Sequence, residues 1–535
     1  MGFGSLYTGA TGLLAHADKM QVVSNNLANV STIGYKKSDA QFCDLMSTVM
    51  AGGGAQYPNG AIGTSQIGMG VGMAEIRNIF LEGGRRSTDS VTDIAIAGNG
   101  FYGVRDAEFG TTRYTRAGAF HFNNDAYLVD PSGYRLQGHQ VDRETGQISS
   151  SVSDVRLPYE DIVVDGENVR VVRSKPKATS NIQMFTRLDA LATGQFNDDN
   201  NPFFAMFNAY DGSASSAGGV FGGQQPAYSS SLDVYDADGN AHELTVYFDP
   251  VNTNGLSNAT PGYTYWEYLV ALPPDSDGSG AYGTSAAGIA GTGVLVFDGT
   301  GKLVNMSAFS PGSASGAGGK DLAGWSPSTF SDEGLPQFDF TFGSNGSSVG
   351  TAQSISYDFG IKSTSSSWAS GAGSAAAIGK DASMLLSMDD IKLDINRSTN
   401  YDSGSATLFQ DQNGYAWGYL QNMSISREGI LSGHFTNGQT EDLYAISIYN
   451  FTSEWGLRRD GSNNFVETDA SGAAREGLAG TAERGVIEEK TLEESNVDMA
   501  DEFANMILTQ RGYQANSKII TTSDSLLNTT INIKR

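Results

Sequence analysis

The stretch SNVDMADEFANMILTQRGYQANSKIITTSDSLLNTTINI, residues 495–533, decides how the rest of the chain is read. Met499, Met506, Tyr513, Ile520 and Leu527 recur at every seventh residue, with Phe503 and Ile531 among the interleaved positions. That recurrence puts the apolar side chains on one stripe of an α-helix. No proline follows Pro336, and Gly512 is the one glycine from Val486 onward. Ser495 offers a side-chain acceptor for first-turn amides, and Asp498 places a negative charge at the positive end of the dipole. One long helix over 495–533 is predicted. Its seam is interrupted by Gln510, Ser517 and Asp524, and the opposite face (Thr509, Asn516, Thr522, Asn528, Thr529) is polar but nearly uncharged. A helix with so narrow a stripe is marginal alone and needs neighbours.

The other end of the chain carries a shorter version. From Gly4 to about Ser31, Leu6, Ala10, Leu13, Ala17, Met20, Ser24 and Leu27 alternate spacings of four and three, a seam held over three repeats. The two end helices can pair within one monomer, or with each other and then with further copies. The pattern alone leaves both open.

Between the ends the chain reads as β. Asp93–Ala97 runs into Gly98-Asn99-Gly100, with Phe101–Val104 expected as the return strand. Arg113–Arg116, Ala119–Phe122 and Tyr127–Val129 follow at short intervals. The plainest hairpin joins Leu232–Tyr235 to Leu244–Phe248 through Asp236-Ala237-Asp238-Gly239-Asn240, where the Asp-Gly step supplies the positive-φ turn. Tyr265–Leu272, Val294–Phe297, Gln337–Phe342, Gln353–Tyr357, Gly418–Ile425 and Leu443–Tyr449 are further strands. The Gly/Ser/Ala-rich stretches 213–223, 275–293, 310–319 and 365–374 read as surface loops or linkers. The expected fold is a mainly β multidomain body of barrel- or sandwich-like domains. Terminal α-helices form a coiled-coil-like inner core, and the domains are nested and discontinuous. Residues 1–31 and 486–535 form the core, 32–75 a linker, 76–165 and 395–485 an inner β domain, and 166–394 an outer β domain of one or two lobes.

Composition agrees and excludes much. Of 535 residues, 67 are glycine, 39% are hydrophobic and only 17% are charged, a turn-rich β profile with enough apolar material for real cores. The 33 Lys+Arg against 59 Asp+Glu give a net charge of −26, which argues against binding nucleic acid. One cysteine, Cys43, permits no intramolecular disulfide and no multi-cysteine zinc site; it reads as a small packing residue. The first twenty residues lack the basic and apolar regions of a secretory signal, and no stretch suits membrane insertion.

Candidate chemistry fails on context. Gly98-Asn99-Gly100-Phe101-Tyr102-Gly103 matches GxGxxG, but a breaker follows before any helix could receive a pyrophosphate. Asp236, Asp238 and Asn240 start a calcium-loop pattern that lacks its glycine (Ala241) and its closing acid (Tyr247). Gly346-Ser347-Ser348-Val349-Gly350 matches GxSxG, yet strand-like alternation follows instead of the helix a nucleophile elbow needs. The five histidines (His16, His121, His139, His242, His434) are dispersed. No catalytic residue, cofactor or metal is expected.

Two segments carry far more information. Ser24–Lys36 (SNNLANVSTIGYK) and Ser495–Asn516 closely resemble the terminal signatures of the bacterial flagellar rod and hook family, and residues 519–535 extend the resemblance to the last residue. The family positions here are Asn25, Asn26, Asn29, Gly34, Tyr35 and Lys36, and Asn496, Gln510, Arg511, Gln514 and Asn516. Val234–Phe248 resembles the outer-domain hairpin of the hook members. Gly98–Phe101, Tyr114–Arg116 and Asn413–Tyr415 resemble their inner β domain. Two departures stand out. Gly512 replaces a better helix former, at a cost of about 1 kcal/mol against alanine unless close helix packing offsets it. The stretches 39–73 and 195–230 are also longer than in compact relatives.

The resemblance implies a structural subunit that polymerises into a flexible, curved, torque-transmitting tube around an export channel. Leu6, Leu13, Met20 and Leu27, with Met499, Phe503, Met506, Tyr513, Ile520, Leu527 and Ile531, would form the assembly seams. Implied partners are further copies of itself, a distal rod protein, a hook–filament junction protein, a hook cap and the flagellar export apparatus. Location in the extracellular hook, after export without a cleaved signal, is implied too. A distal rod or junction protein of the same family is the nearer alternative. An acidic carbohydrate-binding or carbohydrate-active β protein is the more remote one.

Overall fold

The computed structural model describes residues 2–49, 66–143, 145–164, 167–213, 219–312, 319–344, 346–348 and 352–533. Parts of the stretches read above as linker 32–75, as loops 213–223 and 310–319, and as GxSxG at 346–350 lie outside these, as do Lys534 and Arg535. The chain forms two compact units, one from Met1–Arg173 with Tyr419–Arg535 and one from Ser174–Gly418. It therefore leaves the first unit, builds the second and returns, a nested, discontinuous, mainly β organisation flanked by terminal helices.

The N-terminal helix spans Gly2–Ala28 and the C-terminal helix Met499–Ile533. The latter starts later than expected. Asp498, not Ser495, caps it, its Oδ1 accepting from Ala500 N at 2.7 Å and Asp501 N at 3.3 Å. Ser495 is outside the helix because the backbone beside it is committed elsewhere, Asn496 N donating to Tyr35 O at 3.3 Å. The segment read as a linker holds antiparallel ribbons, Ser38–Asp44 with Val71–Asn78 and Ser47–Val49 with Gln66–Gly68.

In the first unit, Phe101–Arg105, Thr112–Thr115, Arg135–Val141 and Thr440–Asn450 lie in one large sheet. Ile94–Ala97 does not pair back on Phe101–Arg105 as expected. It pairs antiparallel with Val486–Glu489, while Phe101–Arg105 joins the large sheet. The intervening glycines have φ of +112° (Gly98) and +124° (Gly100), so they change the chain's direction between two ladders instead of closing one. Ile94, Ile96, Tyr102, Val104, Leu136, Ile446, Ile448 and Ile487 fill the core between these layers.

The second unit is a sandwich. A six-stranded antiparallel meander from Tyr228–Tyr235 to Trp325–Pro327 faces a five-stranded mixed sheet centred on Asn181–Asp189. Ala406–Gln412 pairs antiparallel along that central strand, which brings residues 395–418 into this unit. Trp266, Tyr268, Leu295, Phe338, Ile355, Tyr357 and Phe359 share the core between the sheets. The hairpin forms in the expected register, Leu232 opposite Leu244, with Gly239 at φ +82°. The stretch 275–293, expected as a loop, ends in the wholly buried strand Ile289–Phe297. Its glycines make room for aromatic rings, since a Cβ on Gly291 would stand 2.3 Å from Phe338 Cδ1.

The meander's other face is covered by residues 196–210, where Phe203, Phe204 and Phe207 are buried. Two buried carboxylates, opposite each other in the ladder, hold this cover. Glu267 accepts from Met206 N and Phe207 N at 2.8 Å, and Asp249 from Gln195 N at 2.9 Å and Phe196 N at 3.2 Å.

Candidate assembly site: the paired ends and their anchor

The terminal helices pack against each other along a row that hydropathy does not mark. Ser5 Oγ lies 3.1 Å from Ser523 Oγ. A Cβ on Gly9 would stand 3.1 Å from Ile520 Cγ1, on Gly12 2.7 Å from Asn516 Oδ1, and on Gly512 2.5 Å from His16 Cε1. Asn26 Nδ2 donates to Glu502 Oε2 at 3.3 Å. Glu502, Thr509 and Ser523 are the buried residues of the C-terminal helix. The pairing rows, 5-9-12-16-26 and 502-512-516-523, precede the two apolar seams by one residue, a rotation of about 100°. Small residues win this contact because absent side chains let the helices approach closely. Gly512 is where its missing side chain admits the His16 ring, whose charged form burial disfavours first and Lys19 second, so its pKa is lowered.

The seams are consequently left largely outside the pair. Met499, Phe503, Tyr513 and Ile531 are exposed, with Phe503 at 50% and Ile531 at 64%. Leu6, Leu13, Met20, Leu27, Met506, Ile520 and Leu527 are half-buried. Leu14, Leu508 and Leu526, which lie beside the seams, are exposed too. Gln510, Arg511 and Gln514 are exposed, and Asn516 turns back to donate to Gly512 O at 2.9 Å.

The remaining family positions do something different: they tie both helices to the β body. Asn26, 1% exposed, accepts from Tyr35 Oη at 3.2 Å and Ser38 N at 2.9 Å and donates to Ser38 O at 2.8 Å. Asn25 donates to Tyr35 Oη at 3.3 Å. Asn29 donates to Asn25 O at 2.8 Å and accepts from Thr32 Oγ1 at 3.1 Å, closing the helix end. Gly34 has φ +66° and donates its N–H to Glu493 O at 2.8 Å, with Ala117 N 2.5 Å from where a Cβ would sit. Lys36 is buried and donates to Leu81 O at 2.7 Å and to Glu493 Oε1. Burial lowers its pKa, against the attraction of Glu493. Asn496 accepts from Lys37 N at 2.7 Å and donates to Ile79 O at 2.8 Å and Leu81 O at 3.0 Å. Arg459 stacks over Tyr35 at 4.6 Å and donates to Asn78 Oδ1 at 2.8 Å and to Lys36 O.

The motifs weighed for chemistry are occupied by their own turns. Asp236 accepts from Asp238 N at 2.9 Å, Asn240 N at 2.8 Å and Asn240 Nδ2 at 3.0 Å, and its Oδ2 lies 3.0 Å from His242 Nε2. Ser347–Ser348 pairs with Gly343–Ser344 as a hairpin. Among the described residues no group of three or more His, Cys, Asp or Glu could hold a metal ion, and no helix is long and apolar enough to cross a membrane. Glu493, Glu502 and Arg459 carry no distinguishing signal in the sequence, since each sits in a charged stretch (488–494, 498–502 and 458–460), and Arg116 is marked only as part of the inner-β resemblance.

Helices paired at both chain ends, a nested β body and an anchored terminal signature define a flagellar axial protein. Four family profiles match: flagella basal body rod protein over 6–36, flagellar hook protein FlgE/F/G D1 domain over 95–172, flagellar basal body protein FlaE D2 domain over 222–415, and flagellar basal body rod FlgEFG protein C-terminal over 488–533. The flagellar hook protein FlgE of Borreliella burgdorferi is 30% identical, with 99% of each chain covered. That of Treponema pallidum is 28% identical over 99% of each chain, and that of Escherichia coli 26% over 98% of each. The chain belongs to the flagellar hook protein family. It is a structural subunit of the hook, not an enzyme, and it assembles with copies of itself there.

Proposed function

We propose that the apolar seams left outside the helix pair take the seams of neighbouring copies, so that the paired ends line a central channel and the β units lie outside them. Identical head-to-tail contacts that do not close propagate as an open helix. Leu6, Leu13, Met20 and Leu27 on one helix, and Met499, Phe503, Met506, Tyr513, Ile520, Leu527 and Ile531 on the other, are the assembly residues. The single observation that supports this is that Met499, Phe503, Tyr513 and Ile531 stay exposed after the helices have paired. On this reading the division into an inner core (1–31 and 486–535), a connecting segment (32–75), an inner β domain (76–165 and 395–485, less the 395–418 stretch that folds into the second unit) and an outer β domain (166–394, with 395–418) is a division into concentric layers. Hydrated Gly/Ser/Asn-rich outer surfaces let neighbouring subunits slide as the tube bends and turns. The strong negative charge keeps tubes from clumping side by side.

The tube would meet a distal rod protein at one end and a hook–filament junction protein at the other, grow beneath a hook cap, and receive subunits through the flagellar export apparatus. Subunits would pass out unfolded, without a cleaved signal, to an extracellular site; a chain with one cysteine suits that route. Electron microscopy of the purified, concentrated full-length chain tests the proposal. Short curved tubes are expected. Straight tubes would favour a rod role, and persistent monomers would contradict the seam assignment.

A further inference from the structure

Glu493 occupies a position that none of the family motif residues explains. It closes the strand Thr491–Glu493, which pairs with Arg85–Ser87, just before the C-terminal helix. Its side chain is 2% exposed and is met by two buried cations, Lys36 at 0% and Arg116 at 1%. Oε1 accepts from Lys36 Nζ and, at 3.0 Å, from Gly83 N. Oε2 lies 3.6 Å from Arg116 Nη1, an attraction of charge rather than a hydrogen bond. Its main-chain carbonyl accepts from Gly34 N at 2.8 Å. One residue thus gathers the N-terminal motif (Gly34, Lys36), the approach to the C-terminal helix, and the β body (Arg116, whose guanidinium lies over the Phe101 ring at 5.3 Å). Glu82, the other carboxylate acting on Lys36, is 42% exposed and cannot substitute for it.

Buried ion clusters are poor sources of net stability, because desolvation offsets most of the Coulomb attraction. What they supply is direction. A charge-assisted contact weakens steeply as its partners separate in a low dielectric, whereas an apolar contact slips at nearly constant energy. We infer that Glu493, with Lys36 and Arg116, is the rigid joint through which both terminal helices pass torque to the β body. The inference rests on the hook reading above and adds a named positioning residue to it. Slip is confined to other surfaces because this one is ionic.

The test uses hooks assembled from the full-length chain. Glu493→Gln leaves two buried cations uncompensated; Lys36→Met with Glu493→Gln leaves one, the same net charge as the native cluster. Twisting single hooks under calibrated torque should show a loss of torsional stiffness in both variants at unchanged hook length. Hydrogen exchange at Gly34 and Gly83 should quicken in Glu493→Gln, on the order of a hundredfold for a broken buried pair. The double variant should regain thermal stability and still be torsionally soft. If its stiffness returns with its stability, Glu493 is merely structural and the inference fails. If Glu493→Gln does not fold, the comparison of the double variant with the native chain decides alone: equal stiffness overturns the inference. Absence of tubes from the native chain would instead defeat the hook reading.

Discussion

The sandwich of the second unit and the terminal helix pair solve opposite problems with the same residue types. In the sandwich, Trp266, Tyr268, Phe338, Tyr357 and Phe359 are all essentially inaccessible, and glycines such as Gly291 serve to seat their rings. In the helix pair, glycine, serine and asparagine make the contact, while Phe503, Leu508, Leu526 and Ile531 stay exposed. One region buries its apolar surface against itself; the other leaves much of its own exposed. The difference teaches that the helices are not a hydrophobic core that failed to close. They are a pair held by close approach and by the anchor at Asn26, Lys36 and Asn496, with their stickiest face turned away.

The comparison breaks most visibly in the sandwich. Trp266→Ala should cost about 3–5 kcal/mol, as removal of a buried aromatic does. Four of the five tryptophans lie in this unit, so intrinsic fluorescence should report the loss in a denaturant melt while the helical circular dichroism persists. A smaller effect is expected at the pair. Gly512→Leu forces a side chain into the His16 ring and should destabilise helix pairing by about 1–3 kcal/mol, read as earlier melting of the helical signal with the fluorescence transition unchanged.

The smallest effect is a pH dependence confined to the sandwich. Burial raises Asp249 from 3.8 to about 6 and holds Glu267 well above its ordinary value, each opposed by the amides it accepts from. The folded unit therefore retains protons that the unfolded chain releases. The stability Asp249 contributes is full below about pH 4 and is lost as pH rises through about 6, and that of Glu267 is lost as pH rises through its own raised value. The carboxyls of Asp198 and Asp236, in the same unit, are instead lowered, so their opposing loss begins only below about pH 4. The fluorescence midpoint should be a few degrees higher near pH 5 than near pH 7.5. Asp249→Asn should flatten the slope.

How much of this was legible follows from what each contact is made of. Both helices, the hairpin at 232–248 and most central strands carry period and turn chemistry, and they fold where that chemistry puts them. The pairing row does not, because Gly9, Gly12, Thr509 and Ser523 have no hydropathy signal. Gly512 alone reads as a cost in the sequence, and the His16 ring against it gives that cost a reason. Of the strand Ile289–Phe297 only the second half, Val294–Phe297, is legible; the first half is hidden for the same cause, since glycine that seats an aromatic ring looks like glycine in a loop. The anchor joins residues 457 positions apart, Lys36 and Glu493, and no local pattern reports such a distance.

The central claim is that the apolar face of the helix pair is reserved for other copies, and one experiment meets it directly. Phe503→Asp combined with Ile531→Asp changes two seam side chains that are 50% and 64% exposed in the single subunit. The account predicts a monomer with unaltered melting and helical signal that forms no tubes under the electron microscope at concentrations where the native chain does. Tubes of normal length from this variant would contradict it.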